Sequence, residues 1–279
     1  MIVTLRAFIA MTLIFLTITP APAQVPMASF LCDHGKGKQV CLVFDDGQVA
    51  QLTNHKAKVF TPNFSPDGKF IVYSANIQGR EDFDLHLIDL TNPKKPKDLD
   101  LTGKPLGVKL NEPKWAPRGD PRILVYSQEL PEAASWDVGM LTLEKGNKPG
   151  ILINISNADG KQENLVKDQN GFWSPDGTKI VFESNRKLID GQTQYDIFIA
   201  DAEQKTAGKN TKNLSNHAGV DEWGRFSPDG TQVVFQSKRD GDWEIYVVGI
   251  DGKNLKQLTN NNKTDRRPNW SRGGIVFES

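Results

Sequence analysis

Ser65-Pro66-Asp67-Gly68, Ser174-Pro175-Asp176-Gly177 and Ser227-Pro228-Asp229-Gly230 are one turn written three times, and degraded copies stand at Ala116-Pro117-Arg118-Gly119 and Ser271-Arg272-Gly273-Gly274. Proline presets φ at the second position, aspartate bonds its own backbone at the third, and glycine closes the turn at positive φ. An aromatic residue precedes each copy (Phe64, Trp115, Trp173, Phe226, Trp270), and a dense apolar run follows, such as Phe70-Ile71-Val72-Tyr73 or Val233-Val234-Phe235. Such runs need cover on both faces of a strand, which stacked sheets supply and a single exposed sheet does not.

A second pattern stands beyond each corner. Val40 to Phe44, the turn Asp45-Asp46-Gly47 and Val49 to Leu52 return as Glu244 to Val248, Asp251-Gly252 and Leu255 to Thr259. The full unit is strand A, the corner, strand B, a polar loop, strand C, a turn, and strand D ending in Leu-Thr-Asn or Leu-Ser-Asn. Four antiparallel strands per unit make a propeller blade. Strand C is expected at Phe83 to Ile88, Trp136 to Leu143, Tyr195 to Ala200 and Trp243 to Val248. Polar insertions are expected as loops at Glu129 to Ser135, Lys145 to Gly150, Asn157 to Asn164, Arg186 to Gln194 and Ala202 to Lys212. The expected fold is an all-β propeller of four-stranded antiparallel blades over residues 24–279, with no linker. The start supplies strands C and D, and the end supplies A and B, closing on Ile275-Val276-Phe277. This favours five blades closed by strands from both termini. Ala28 to Asp33 also resembles a B strand and competes for that slot, which leaves six blades open.

Residues 1–23 carry Arg6, an apolar core from Ala7 to Ile18 and the small-residue site Ala21-Pro22-Ala23, the pattern of a cleaved secretory signal. The expected localisation is periplasmic or secreted, with no membrane insertion after cleavage. The chain holds 34 basic and 34 acidic side chains, a balance that gives no electrostatic footprint for nucleic acid or anionic lipid. Its two cysteines, Cys32 and Cys41, are expected to form a structural disulfide across a hairpin in an oxidising compartment.

Leu-Thr-Asn followed by Pro62-Asn63-Phe64-Ser65-Pro66-Asp67-Gly68-Lys69-Phe70-Ile71-Val72-Tyr73-Ser74, and Phe226 to Tyr246, resemble the WD40-like repeats of the TolB propeller family. The resemblance covers nearly all of the chain after residue 23. It implies a noncatalytic scaffold for protein contacts, with an envelope or periplasmic partner such as a Pal-like lipoprotein. TolB proper carries an α/β domain before its propeller, whereas here the repeats begin close behind the signal.

The corner aspartates Asp67, Asp176 and Asp229 read as turn residues. Arg186 and Arg239 stand ahead of Asp196 and Glu244 and read as intrablade ion pairs or solvated charges. Asp84, Asp137, Asp196 and Glu244 open the four C strands as repeat consensus. His55 and His217 occupy one repeat position and read as surface loop residues. No Gly-x-Ser-x-Gly nucleophile elbow and no metal-ligand spacing occurs, so no catalytic residue is expected. One constellation uses the ring: Asp168, Asp221 and Asp265 recur ahead of strand A, with Glu222, Glu112, Arg266 and Arg267 beside them. These are expected at the rim of the central channel as the partner-binding surface. No cofactor is called for, although such a rim suits a hard divalent cation. The alternative is a propeller enzyme of lactonase or lyase type that binds a small molecule or metal in the channel.

Overall fold

The computed structural model describes residues 26–33, 37–56, 58–76, 83–92, 95–102, 108–117, 121–129, 136–156, 166–186, 194–203 and 205–279. The expected signal and most of the expected insertions lie outside them. The described residues form strands and turns, with no helix among them.

Six antiparallel sheets follow one another along the chain. The first holds β1 (Pro26–Asp33), β2 (Lys38–Phe44) and β3 (Val49–Gln51). The next is β4 (Lys58–Phe64), β5 (Phe70–Asn76), β6 (Asp84–Asp89) and β7 (Lys97–Asp100). The third is β8 (Val108–Trp115), β9 (Arg122–Glu129), β10 (Asp137–Glu144) and β11 (Lys148–Asn154). The fourth is β12 (Asp168–Trp173), β13 (Lys179–Ser184), β14 (Asp196–Asp201) and β15 (Lys212–Asn213). The fifth is β16 (Asp221–Phe226), β17 (Gln232–Ser237), β18 (Glu244–Gly249) and β19 (Lys256–Gln257). The last pairs β20 (Arg266–Ser271) with β21 (Gly274–Glu278). The expected C strands are all present, and each four-stranded sheet runs A-B-C-D in order.

The apolar B strands β5, β13 and β17 divide their side chains between two cores. Ile71 and Tyr73 pack toward Val40 and Leu42 of the first sheet, while Val72 packs toward Leu110 and Ile123 of the third. Ile180 and Phe182 join Val138 and Met140, and Val181 joins Val233 and Phe235. Alternation on a strand covered on both faces requires this division. It is the propeller's way of stacking sheets.

Three devices recur and explain the repeat. In the corners, Ser65, Ser174 and Ser227 Oγ donate to the Asp67, Asp176 and Asp229 carboxylates at 2.6–2.7 Å, and accept the N–H of the first B residue at 2.9–3.0 Å. The serine hydrogen bond leads in holding Asp67 and Asp229 below the usual carboxylate range. Gly68, Gly177 and Gly230 then take φ of 70°, 74° and 74°. At the end of strand D, the Thr53, Thr102, Ser156, Ser215 and Thr259 hydroxyls accept the N–H of Val40, Leu85, Val138, Ile197 and Ile245 on strand C. The acids that open strand C face these hydroxyls: Ser215 Oγ donates to Asp196 at 3.0 Å and Thr102 Oγ1 to Asp84 at 3.2 Å. The third device is a bulge in strand A, described below.

The ends differ from the expected split blade. β1, which contains Ala28 to Asp33, pairs with β2 along its length and fills the edge expected for Ile275 to Phe277. The chain thus enters its first sheet at strand B, not strand C. β21 pairs with β20, and Val276 and Phe277 are 62% and 41% exposed. The Cys32–Cys41 disulfide is present and joins β1 to β2, as a cross-hairpin bridge should. Lys148 to Gly150, expected in a loop, instead begin β11.

Candidate functional site

The innermost strands β4, β8, β12, β16 and β20 share one irregularity. Register shifts once in each, and the residue at the shift is in the left-handed region: Thr61, Glu112, Asn170, Trp223 and Arg267, at φ of 45°, 48°, 52°, 60° and 51°. Side chains rarely adopt this conformation unless their surroundings hold it. The next residue is always Pro or Gly: Pro62, Pro113, Gly171, Gly224 and Pro268. A bulge leaves a backbone N–H outside the ladder. Two of these are taken up by the preceding sheet: Trp223 N–H donates to Glu183 Oε1 and Arg267 N–H to Gln236 Oε1, both at 2.7 Å. Gln169 and Asn170 also donate to Glu183, at 3.0 and 2.9 Å. Burial nonetheless pushes the Glu183 carboxyl up to about 7, against those donors.

Beyond the bulge, strand A runs to the corner, and here the sheets converge. A cavity of about 480 Å³ lies at the corner end, walled by residues of β4, β8, β12, β16 and β20 and by the corners that follow β8, β12, β16 and β20. Its sides carry Trp115, Trp173 and Trp270 with the corner prolines Pro117, Pro175 and Pro228. Indole N–H groups tie neighbouring sheets together: Trp115 Nε1 donates to the Asn63 carbonyl at 3.2 Å and Trp173 Nε1 to that of Lys114 at 3.0 Å. The two-residue period places Asn63, Lys114, Phe172, Arg225 and Asn269 at one repeat position, and all five line the cavity.

Two cations contact the Phe172 ring. Lys114 Nζ is 4.4 Å and Arg225 Cζ 3.4 Å from its ring centroid. Lys114 meets Glu112 at 3.4 Å. Arg225 donates to the carbonyl of its own neighbour Gly224 at 2.8 Å, and among the described residues no carboxylate pairs with it. Burial lowers both cations, Arg225 to about 10, with Glu183 and Glu112 pulling it back up. Arg272 lies exposed at the same end. Among the described residues the wall thus holds three cations and no acid.

The expected acidic rim takes a different form. Asp168, Asp221 and Asp265 are buried, at 0%, 0% and 1% exposure, at or just before the start of strand A. That is the end away from the corners, roughly 16 Å along the strand. Arg186 and Arg239 reach them as paired ions, at 3.1 Å to Asp168 and Asp221. These arginines therefore bond the A strand rather than Asp196 or Glu244. They also cover the aromatic pairs Phe182/Phe198 and Phe235/Tyr246. Asp265 accepts from Asn261 Nδ2 at 2.8 Å. A buried carboxylate needs such a partner, which is why these positions repeat. On the innermost strands, Glu112 and Glu222 are half-buried and Arg266 and Arg267 are exposed. Gln236 donates to Glu222 at 3.1 Å, and Arg266 and Arg267 stack over Trp243 and Trp223.

His55 is also not a free surface residue. Its Nε2 lies 2.7 Å from Asp98 Oδ2 and 3.0 Å from Tyr73 Oη, and His86 Nδ1 approaches the same carboxylate at 3.7 Å. Burial acts on Asp98 in the opposite sense, but hydrogen bonds from His86, Tyr73 and His55 hold it below the usual range. His217 is exposed, and its Nδ1 accepts the Gly219 N–H. Among the described residues, no group of three His, Cys, Asp or Glu is arranged to hold a metal. No helix among them is long and apolar enough to cross a membrane.

No family model matches the chain. An uncharacterized protein of Agrobacterium fabrum is 26% identical over 220 residues, covering 78% of this chain and 64% of its own length. The Tol-Pal system protein TolB of Bordetella pertussis is 38% identical over 45 residues, 16% of this chain and 10% of that one. Among solved structures, a putative TolB from Agrobacterium tumefaciens superposes with a TM-score of 0.53 at 22% identity, over 82% of this chain and 73% of its own. TolB from Acinetobacter baumannii gives 0.52 at 16% identity, over 86% and 53%. An oligogalacturonate lyase from Vibrio parahaemolyticus gives 0.58 at 16% identity, over 85% and 63%. The chain thus spans less than two thirds of the Agrobacterium fabrum relative. The stacked sheets, the corners and these likenesses define an all-β fold of propeller type. Within that class the chain is TolB-like.

Proposed function

We propose that the chain is an extracytoplasmic scaffold, exported by a signal over residues 1–23, that holds a protein partner at the channel rather than transforming a substrate. The observation that carries this reading is the corner-end cavity, where the innermost strands of five sheets present tryptophan, proline and cations to one opening. Exposed aromatic and arginine side chains are the usual anchors of protein contacts. The disulfide fits an oxidising compartment, and the TolB likeness supports an envelope partner of the Pal-like kind. Glu112, Glu222, Arg266 and Arg267 border the same channel and extend the contact surface. In this reading the buried Asp168, Asp221 and Asp265 support the strands and touch no partner. A divalent cation is not required.

The test is a photo-crosslinking residue placed at Pro228 or Ser271 on the cavity, with Leu255, 45% exposed on the outer edge, as the comparison site. A discrete protein adduct is expected from the cavity positions in the intact envelope. Adducts confined to Leu255 would overturn the proposal. The cationic channel and the likeness to an oligogalacturonate lyase support a second reading, a lyase-type enzyme. Cleavage of oligogalacturonate by the purified protein with added divalent metal would establish it instead.

A further inference from the structure

We infer that the corner end of the channel is an anion subsite, which takes a carboxylate of an acidic peptide segment whose neighbouring residues are apolar. This deepens the partner-binding reading and rests on it. A chain with equal numbers of acids and bases has here a wall with three cations and no acid among its described residues. Two of the three, Lys114 and Arg225, are half-buried and both contact the Phe172 ring, so their charges lie within roughly 8 Å. A carboxylate at the edge of that ring is attracted by both. Arg225 is the stronger anchor, because its planar guanidinium has free donors and no carboxylate partner among the described residues, whereas Lys114 already faces Glu112.

The surroundings choose the kind of molecule that carries the charge. A uronic acid saccharide brings several hydroxyl donors, each of which needs an acceptor on burial. The corner hydroxyls Ser174 and Ser227 are already engaged with Asp176 and Asp229, which leaves the Asn63 and Asn269 amides as the main side-chain acceptors among the described wall residues, fewer than several sugar hydroxyls require. Trp115, Trp173, Trp270 and the corner prolines instead suit apolar or prolyl side chains beside the acid. Peptide carboxylates are favoured on that ground.

The test uses a fluorescent, end-blocked hexapeptide of alternating glutamate and proline, its glutamine-proline counterpart, and trigalacturonate, titrated into the full chain. The glutamate peptide is expected to bind at least tenfold tighter than the glutamine one, and to weaken as salt is raised. R225Q should cost tenfold or more, R225K should recover only part of that loss, and K253Q, on the outer turn, should change nothing. R272Q, at an exposed position, should weaken binding about threefold and steepen no salt dependence. Thermal melts check that each variant folds. Equal affinity for the two peptides, absent binding, or indifference to both R225Q and R272Q would overturn the inference, as would trigalacturonate binding in place of the peptide. Crosslinking at Pro228 that persists in R225Q would leave the scaffold reading standing while the anion subsite falls.

Discussion

Glu183 shows how one residue sets a condition for the whole stack. It is buried at 1% exposure between two innermost strands, and its next-repeat counterpart is Gln236, which accepts a bulge N–H in the same way. Burial raises its folded pKa from 4.5 to about 7. A carboxyl raised on folding is most stabilising when protonated. Its contribution is therefore full below about pH 4.5 and is lost as pH rises through about 7. E183Q imitates the neighbouring repeat and should remove that slope. Denaturant melts of the wild type should lose on the order of 2 to 3 kcal/mol more than the variant between pH 5 and pH 8. Equal losses would show that Glu183 stays ionised under its three donors. Little of this was legible in the chain, because a lone Glu in Phe182-Glu183-Ser184 carries no mark of what the next sheet places over it. The same holds for His55, whose partner Asp98 is 43 residues away in sequence.

At the scale of elements, legibility was high where the cause is local. The corner needs only its own serine, aspartate and glycine, and the C-D closure only a hydroxyl at the end of Leu-Thr-Asn or Leu-Ser-Asn. Both were readable, although the hydroxyl's role was not. Ser215 is the buried case: it accepts the Ile197 N–H and donates to Asp196, each at 3.0 Å. S215A leaves a buried donor and a buried carboxylate short of a partner, and should cost about 1 to 3 kcal/mol. S215T should recover most of it, since Thr53, Thr102 and Thr259 do the same work in sister sheets. Failure of threonine to rescue would mean that packing, not the hydrogen bond, decides this position. The bulges were written in the sequence but unread. Pro62, Pro113, Gly171, Gly224 and Pro268 stand three residues ahead of the corner Ser or Ala in every repeat, and counting back in twos from there yields the cavity ring. Period and position fix which strand end Asp168, Asp221 and Asp265 occupy, but not that Arg186 and Arg239, two residues beyond strand B, cover the first two.

Across the whole molecule, the stacking of sheets was implied by the two-faced B strands, but the pairing at the ends was not, since two segments matched one slot. Geometry settles the local partner: β1 covers the edge of β2 and is bonded to it covalently through Cys32 and Cys41. β21 pairs within the last sheet, and Ile275 and Trp270 rest on Val234, Ile245 and Val247 of the fifth. Deletion of residues 275–279 should therefore uncover one partly buried core and no more. A loss of about 1 to 3 kcal/mol is expected, from the burial of a single large aliphatic side chain and its strand partner. That is well inside the 5 to 15 kcal/mol typical of a folded domain, so the truncated chain should still melt cooperatively. Hydrogen exchange localises the effect. Protection should fall in β20 and in the face of β17 and β18 beneath it, and should be unchanged in Val40 to Phe44. Lost protection in β2 would show that the end of the chain supports the first sheet after all, and would restore the shared blade.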